Sequence, residues 1–181
     1  LACLRLWHDE LDAARDGFLR QLRRADERGD LWHRTHVQAH LGQLEWRAGD
    51  WNLAEAYIAE AAETWAASGD GENQSTLVWM RALVPAHRGE LDAVREIYAE
   101  ANGDQPDATN RARALWVLGH AALAAGDTAE AVSRLEAAAT SFDAAGIREP
   151  GLRAFASDLI DARLAAGRLA DARAEATELL A

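Results

Sequence analysis

The sequence predicts an all-α fold, a solenoid of about five antiparallel helix pairs with a period of ~40 residues. Three observations predict it. One phrase, a small-residue turn around Gly-Asp or a relative followed by an Ala-rich amphipathic stretch, recurs along the chain. It stands as RAGDWNLAEA at 47–56, HRGELDAVRE at 87–96, AAGDTAEAVS at 124–133 and AAGRLADARA at 165–174, with a degenerate copy, HDELDAARDG, at 8–17. Its turn glycines, Gly49, Gly89, Gly126 and Gly167, are 40, 37 and 41 residues apart, a spacing typical of units that bury their apolar faces against their neighbours. Apolar residues also recur at three- and four-residue steps on both sides of the turns, and no stretch alternates with the period of a strand.

Taken in order, a short opening helix at 1–7 pairs with one at 10–28, and 32–48 pairs with 51–68. Next come 75–88 with 90–101, a pair within 111–145, and 153–166 with 169–180. The repeats are therefore approximately 1–28, 32–68, 75–101, 111–145 and 153–181 of a single domain. Around Gly126 the plan is clearest. Leu115, Leu118, Ala122 and Leu123 precede it at helical spacing, and Ala131, Leu135, Ala138 and Phe142 follow. Gly126 occupies a helix C-terminus that calls for a left-handed residue, and Asp127 is placed to cap the next helix. Small residues stand where paired helices must approach: Gly42, Ala82 and Gly119 seven before their turns, Ala54, Ala131 and Ala172 five after. Val94 and Ile160 depart from that pattern. The polar, Gly-rich connectors include 102–110, the best sequence candidate for a mobile loop.

With 181 residues, 49% of them apolar, the chain is long enough for one well-buried domain. It opens on Leu1 with a helical pattern already under way, which reads as a piece of a longer protein. It contains no apolar run of membrane-spanning length and no cleavable leader. Asn73-Gln74-Ser75 fits a glycosylation pattern but has no export signal to accompany it. A lone Cys3 cannot form an internal disulfide, which fits a reducing cytoplasm. The net charge of −11 argues against gripping a phosphate backbone, which needs clustered positive charge. All 19 basic residues are Arg, a usage that points to GC-rich codons and a bacterial source.

The run Leu118-Gly119, Gly126-Asp127, Ala131 and Ala138 resembles the tetratricopeptide repeat, whose pairs stack into a right-handed solenoid; the longer period implies longer helices. A second stretch, GIREPGLRAFASDLID at 146–161 followed by AAGRLADA at 165–172, resembles sequence seen in large bacterial LuxR-type, MalT-like transcriptional regulators. That resemblance implies a sensor region lying between an ATPase and a helix-turn-helix. Nucleotide and DNA contacts then fall outside this segment, which has neither a GxxxxGK[ST] loop nor a basic recognition helix, and no cofactor is expected in it.

In tetratricopeptide solenoids the first helix of each pair lines a concave groove. Registering each helix on its turn glycine places three columns there. They are Ala39, Trp79, Trp116 and Ser157; then Gln43, Leu83, His120 and Asp161; then Trp46, Ala86, Leu123 and Leu164. Arg47, His87 and Asp158 stand at the rim. Tryptophans, imidazoles and carboxylates on one surface suit a small polar inducer, or a protein or peptide partner; equally, the tryptophans serve as large fillers between helices. The groove has no Lys, so it does not match the clamps that hold carboxylate-terminated peptides. A cationic or neutral polyhydroxylated ligand, or a basic peptide, suits it better.

His33, His36 and His40 share one helix face, but no Glu lies between the first two and nothing near in sequence completes a metal site. Glu55, Glu60, Glu63, Asp171, Glu175 and Glu178 fall on outer helices, where charge ordinarily means a solvated face. No GxSxG elbow or other nucleophile arrangement is present, so the expectation is no enzyme activity. The competing expectation is a scaffold that associates with itself or other proteins through its ends, at Leu4, Leu6, Trp7, Leu179 and Leu180.

Overall fold

A computed structural model describes residues 1–68, 74–100 and 108–179, and among them the chain forms ten α-helices and no strand. These are α1 (Ala2–Trp7), α2 (Leu11–Arg28), α3 (Leu31–Ala48), α4 (Trp51–Ser68), α5 (Gln74–His87), α6 (Leu91–Glu100), α7 (Ala108–Ala124), α8 (Thr128–Ala144), α9 (Phe155–Ala165) and α10 (Leu169–Leu179). A 3-10 turn at Pro150–Leu152 precedes α9. Asn73, residues 102–107 of the expected loop, and Leu180 lie outside the described residues. Ala108, Thr109 and Asn110, expected in that loop, instead open α7, where Asn110 is buried.

The turns work by one local mechanism. Gly29, Gly49, Gly89, Gly126, Gly146 and Gly167 all have φ between +64° and +86°. At Gly126 the backbone N–H reaches Leu123 O at 3.0 Å and the next N–H, of Asp127, reaches Ala122 O at 2.8 Å. This pair of bonds closes a helix around a left-handed residue, and a side chain there would be strained. The same two bonds recur at the other five glycines. Asp127 then accepts from Glu130 N at 3.1 Å, starting α8, as Asp30 does for α3 and Asp50 for α4.

The chain divides into two compact units, Leu1–Val84 and Pro85–Ala181, with the boundary inside α5 beside its internal proline. In the first unit α1 packs on α2, α2 on α3 and α3 on α4. Ala2, Leu6, Ala14, Phe18, Val37, Leu41 and Leu44 form its central cluster. Leu6 is fully buried there, so it is core and does not belong to the exposed end expected of it. Gly42 is packed so closely against Ile58 that a Cβ would collide with that side chain. Arg15 of α2 grips the buried Glu45 of α3 with two bonds, Nε–Oε1 at 2.7 Å and Nη2–Oε2 at 2.9 Å.

In the second unit α6 packs on α7, α7 on α8, α8 on α9 and α9 on α10, and α7 also touches α9 directly. A Cβ on Gly119 would lie 2.7 Å from Leu135 Cγ, so the glycine lets α7 and α8 close. Ala131 and Ala172 are buried as their registers require, and at Val94 a larger residue is buried equally well. Phe142 and Phe155 stack with centroids 5.0 Å apart, and the Arg153 guanidinium lies 4.9 Å above Phe155. Glu175 departs from its expected solvated setting: Arg163 reaches it at 2.9 Å and Glu136 at 3.1 Å, joining α8, α9 and α10.

Candidate functional site

The second unit gathers four of the sequence-selected residues into one polar chain. Trp116 and His120 stand one turn apart on α7, Asp158 is on α9, and His87 ends α5. The direct contact of α7 with α9 brings them together. Trp116 Nε1 donates to Asp158 Oδ2 at 2.7 Å. His120 Nδ1 lies 3.1 Å from the same oxygen, within ion-pair range though not aligned as a hydrogen bond. His120 Nε2 meets His87 Nδ1 at 3.1 Å, and the two imidazoles stack with centroids 5.1 Å apart. The His120 and Asp158 side chains are 18% and 17% exposed, while His87 reaches the surface.

Burial depresses the pKa of His87 below its ordinary value, the neighbouring His120 depresses it further, and Asp158 opposes both. His87 therefore favours its neutral form in the folded chain. Asp161, one turn further along α9, is exposed.

The other sequence-selected residues have different surroundings. Trp79 and Leu83 are buried, at 3% and 2% exposure. Trp116 is also buried, so neither its indole nor that of Trp79 offers the open stacking face allowed for in the groove. Gln43 and Trp46 on α3 are half-buried. Arg47 is tied within the first unit, donating to Leu6 O at 2.8 Å and pairing with Asp9 at 2.9 Å. Trp116, His120, Asp158 and His87 cohere; Gln43, Trp46, Arg47, Trp79 and Leu83 belong to the first unit and are described by its own packing.

Two groupings escaped sequence reasoning. The Arg15–Glu45 pair joins residues 30 apart, a separation that no local spacing rule covers. Trp32, at 51% exposure, makes an edge contact with His33 and a close tilted contact with His36, whose ring also neighbours Trp65. The histidine triplet on α3 divides accordingly, because His40 stacks on Phe18 instead. His33 Nδ1 lies 2.6 Å from Asp30, and His36 Nδ1 lies 2.8 Å from Trp32 O. Among the described residues no group of three His, Cys, Asp or Glu is placed to hold a metal ion. A recess of about 140 Å³ beside α10 is lined by Arg148, Arg153, Glu175 and Glu178. Arg153 and Glu175 are already engaged there, with Asp143 and Arg163 respectively. Among the described residues no helix is long and apolar enough to cross a membrane.

Compared with known proteins, the chain matches no protein-family model, no curated protein and no solved structure.

Proposed function

We propose that the protein is a non-catalytic, tetratricopeptide-like solenoid module that binds a ligand or partner through the polar face of α7 and α9. In this reading it is the cytoplasmic sensor region of a LuxR-type, MalT-like regulator, taking up a small inducer or a regulatory protein. The observation that carries the binding reading is the chain Trp116–Asp158–His120–His87. Four polar groups from three helices converge within helices whose buried residues are mostly apolar, and one of the two imidazoles is exposed. Buried polar networks in a helical core narrow the accepted geometry more than they stabilise the fold, so they mark places where direction matters. Asp158 and the exposed Asp161 put carboxylates on this face, which favours ligands rich in N–H or O–H donors: ammonium and guanidinium groups or polyols.

The test is a thermal-shift screen of the intact chain against polyamines, basic peptides, oligosaccharides, amino acids and nucleotides, repeated with His87→Gln and Asp161→Asn. A ligand at about 100 times its dissociation constant adds about 2.7 kcal/mol, or roughly 5–10 °C for a domain of this size. A shift of that size that shrinks in a folded variant supports the reading. Full shifts in both variants place the ligand elsewhere and overturn this site.

A scaffold that associates with itself is the second reading, favoured by Leu164, Leu169 and Leu179 of α9 and α10, which are 48%, 65% and 43% exposed. Sedimentation across a hundredfold concentration range distinguishes it. A concentration-dependent dimer abolished by Leu169→Glu supports the scaffold, and a monomer throughout removes it.

A further inference from the structure

We propose that copies of this chain join head to tail, the outer face of α9 and α10 in one copy receiving α1 of the next. Each end carries one half of a joint that the fold already makes internally. Such a joint is a specific form of the self-association in the second reading above and rests on that reading; it names the two unlike faces that meet.

The internal joint lies in the first unit. Asp9 ends α1 as the turn glycines end the first helix of each later pair. Its φ is +58°, its N–H reaches Leu6 O at 3.3 Å, and the N–H of Glu10 reaches Arg5 O at 2.9 Å. Counting from the turn residue therefore puts α1 in register with the helices that end at Gly49, Gly89, Gly126 and Gly167. Leu6, three residues before its turn, shares one core cluster with Leu41 and Leu44, eight and five before theirs. The first repeat meets the second through those registers, one face looking forward along the chain and the other back.

At the two ends the same registers stand open. Leu1 and Leu4, eight and five before Asp9, match Leu41 and Leu44 but are 85% and 49% exposed. Leu44, Val84, Ala121 and Ala162 take the place of Leu4 in the later repeats, and none is more than 1% exposed. Leu164, three before Gly167, has the register of the fully buried Leu6 yet is 48% exposed. Ile160 and Ala176 take the registers of Ala2 and Phe18, two further members of the cluster. The outer face of α9 and α10 thus repeats the apolar set that receives Leu41 and Leu44, and α1 repeats the set received. Charge separates this pairing from like-to-like contact. Residues 1–28 hold six Arg and six carboxylates, a balanced end, whereas residues 155–179 hold three Arg and five carboxylates. Two C-terminal faces would oppose like charge, and the balanced end does not. Unlike faces meeting in this way make a heterologous contact.

Sedimentation of the intact chain tests the joint, using the wild type, Leu4→Glu, Leu164→Glu and an equimolar mixture of the two variants, with circular dichroism confirming each fold. In either variant alone every joint places a glutamate in an apolar contact, so association should need at least about tenfold more protein than the wild type. The mixture restores one unaltered joint, Leu164 of the Leu4→Glu copy against Leu4 of the Leu164→Glu copy. It should form dimers at wild-type concentrations and grow no further. Leu4→Ser and Leu164→Ser replace any glutamate variant that loses its fold. If one variant associates like the wild type, a face pairs with its own copy, which overturns the head-to-tail joint and leaves self-association standing. A mixture as impaired as each variant alone overturns the joint as well. A wild type that stays monomeric across the whole concentration range overturns the joint and the scaffold reading together.

Discussion

His87 shows how a single residue registers its surroundings. Its pKa is lowered by burial first and by His120 second, so the folded state binds protons less readily than the unfolded chain near the ordinary value of 6.5. The sign follows from linkage. The stabilising contribution is fully present above 6.5 and is lost as pH falls through the depressed folded value. Urea midpoints should therefore decline as the pH drops below about 6.5, and His87→Gln should flatten that decline. A wild-type profile level across that window would remove the assignment. Gly126 makes a second case. With φ at +83°, Gly126→Ala should cost about 1–2 kcal/mol, because the strain is in the backbone and nothing among the described residues lies within 4 Å of the added methyl. Thermal denaturation checks it. The glycine was legible from its place in the repeat, whereas the depression of His87 was not, since it depends on burial in the folded chain and on His120, 33 positions away.

Between elements, the small-residue positions and the polar ties make separable contributions. Gly119→Ala pushes a methyl to 2.7 Å from Leu135 Cγ and should cost about 1–3 kcal/mol by overpacking α7 against α8. In a Leu135→Ala background the same change should cost less, because the obstructing atoms are gone; additive costs in a double-mutant cycle would contradict this account. Arg15→Met leaves the Glu45 carboxylate buried without its bidentate partner and should cost about 3–5 kcal/mol. Replacing both, Arg15→Met with Glu45→Leu, should recover most of that loss. A double variant as unstable as the single one would mean that the pair itself, not the stranded charge, holds α2 to α3. The close approach of α7 and α8 was readable as Gly119 seven residues before its turn. The Arg15–Glu45 tie was hidden, because Glu45 is a polar residue at an apolar register and its partner comes from the preceding helix pair.

Across the molecule, α1 to α4 and α6 to α10 pack mainly on their sequence neighbours within their own unit, so protection should vary along the chain and not be uniform. The α10 helix buries only Ala172, while α7 buries seven residues and lies against α6, α8 and α9. Amide hydrogens of α10 should exchange orders of magnitude faster than those of α7, by local opening; equal protection in native-state hydrogen exchange would show that the unit opens as one. The sequence by itself determined the helices, their capped glycine turns and the small-residue contacts, because those depend on propensity, φ sign and spacing within one repeat. Only the tertiary structure decided which side chains meet across repeats. It buried Trp79 and Trp116, turned Arg47 inward to Leu6 and Asp9, and joined His87, His120 and Asp158 into one chain. Helix periodicity states which face a residue occupies, while the rotation and approach of packed helices select its partner, and that selection depends on the whole set of side chains filling the space between them.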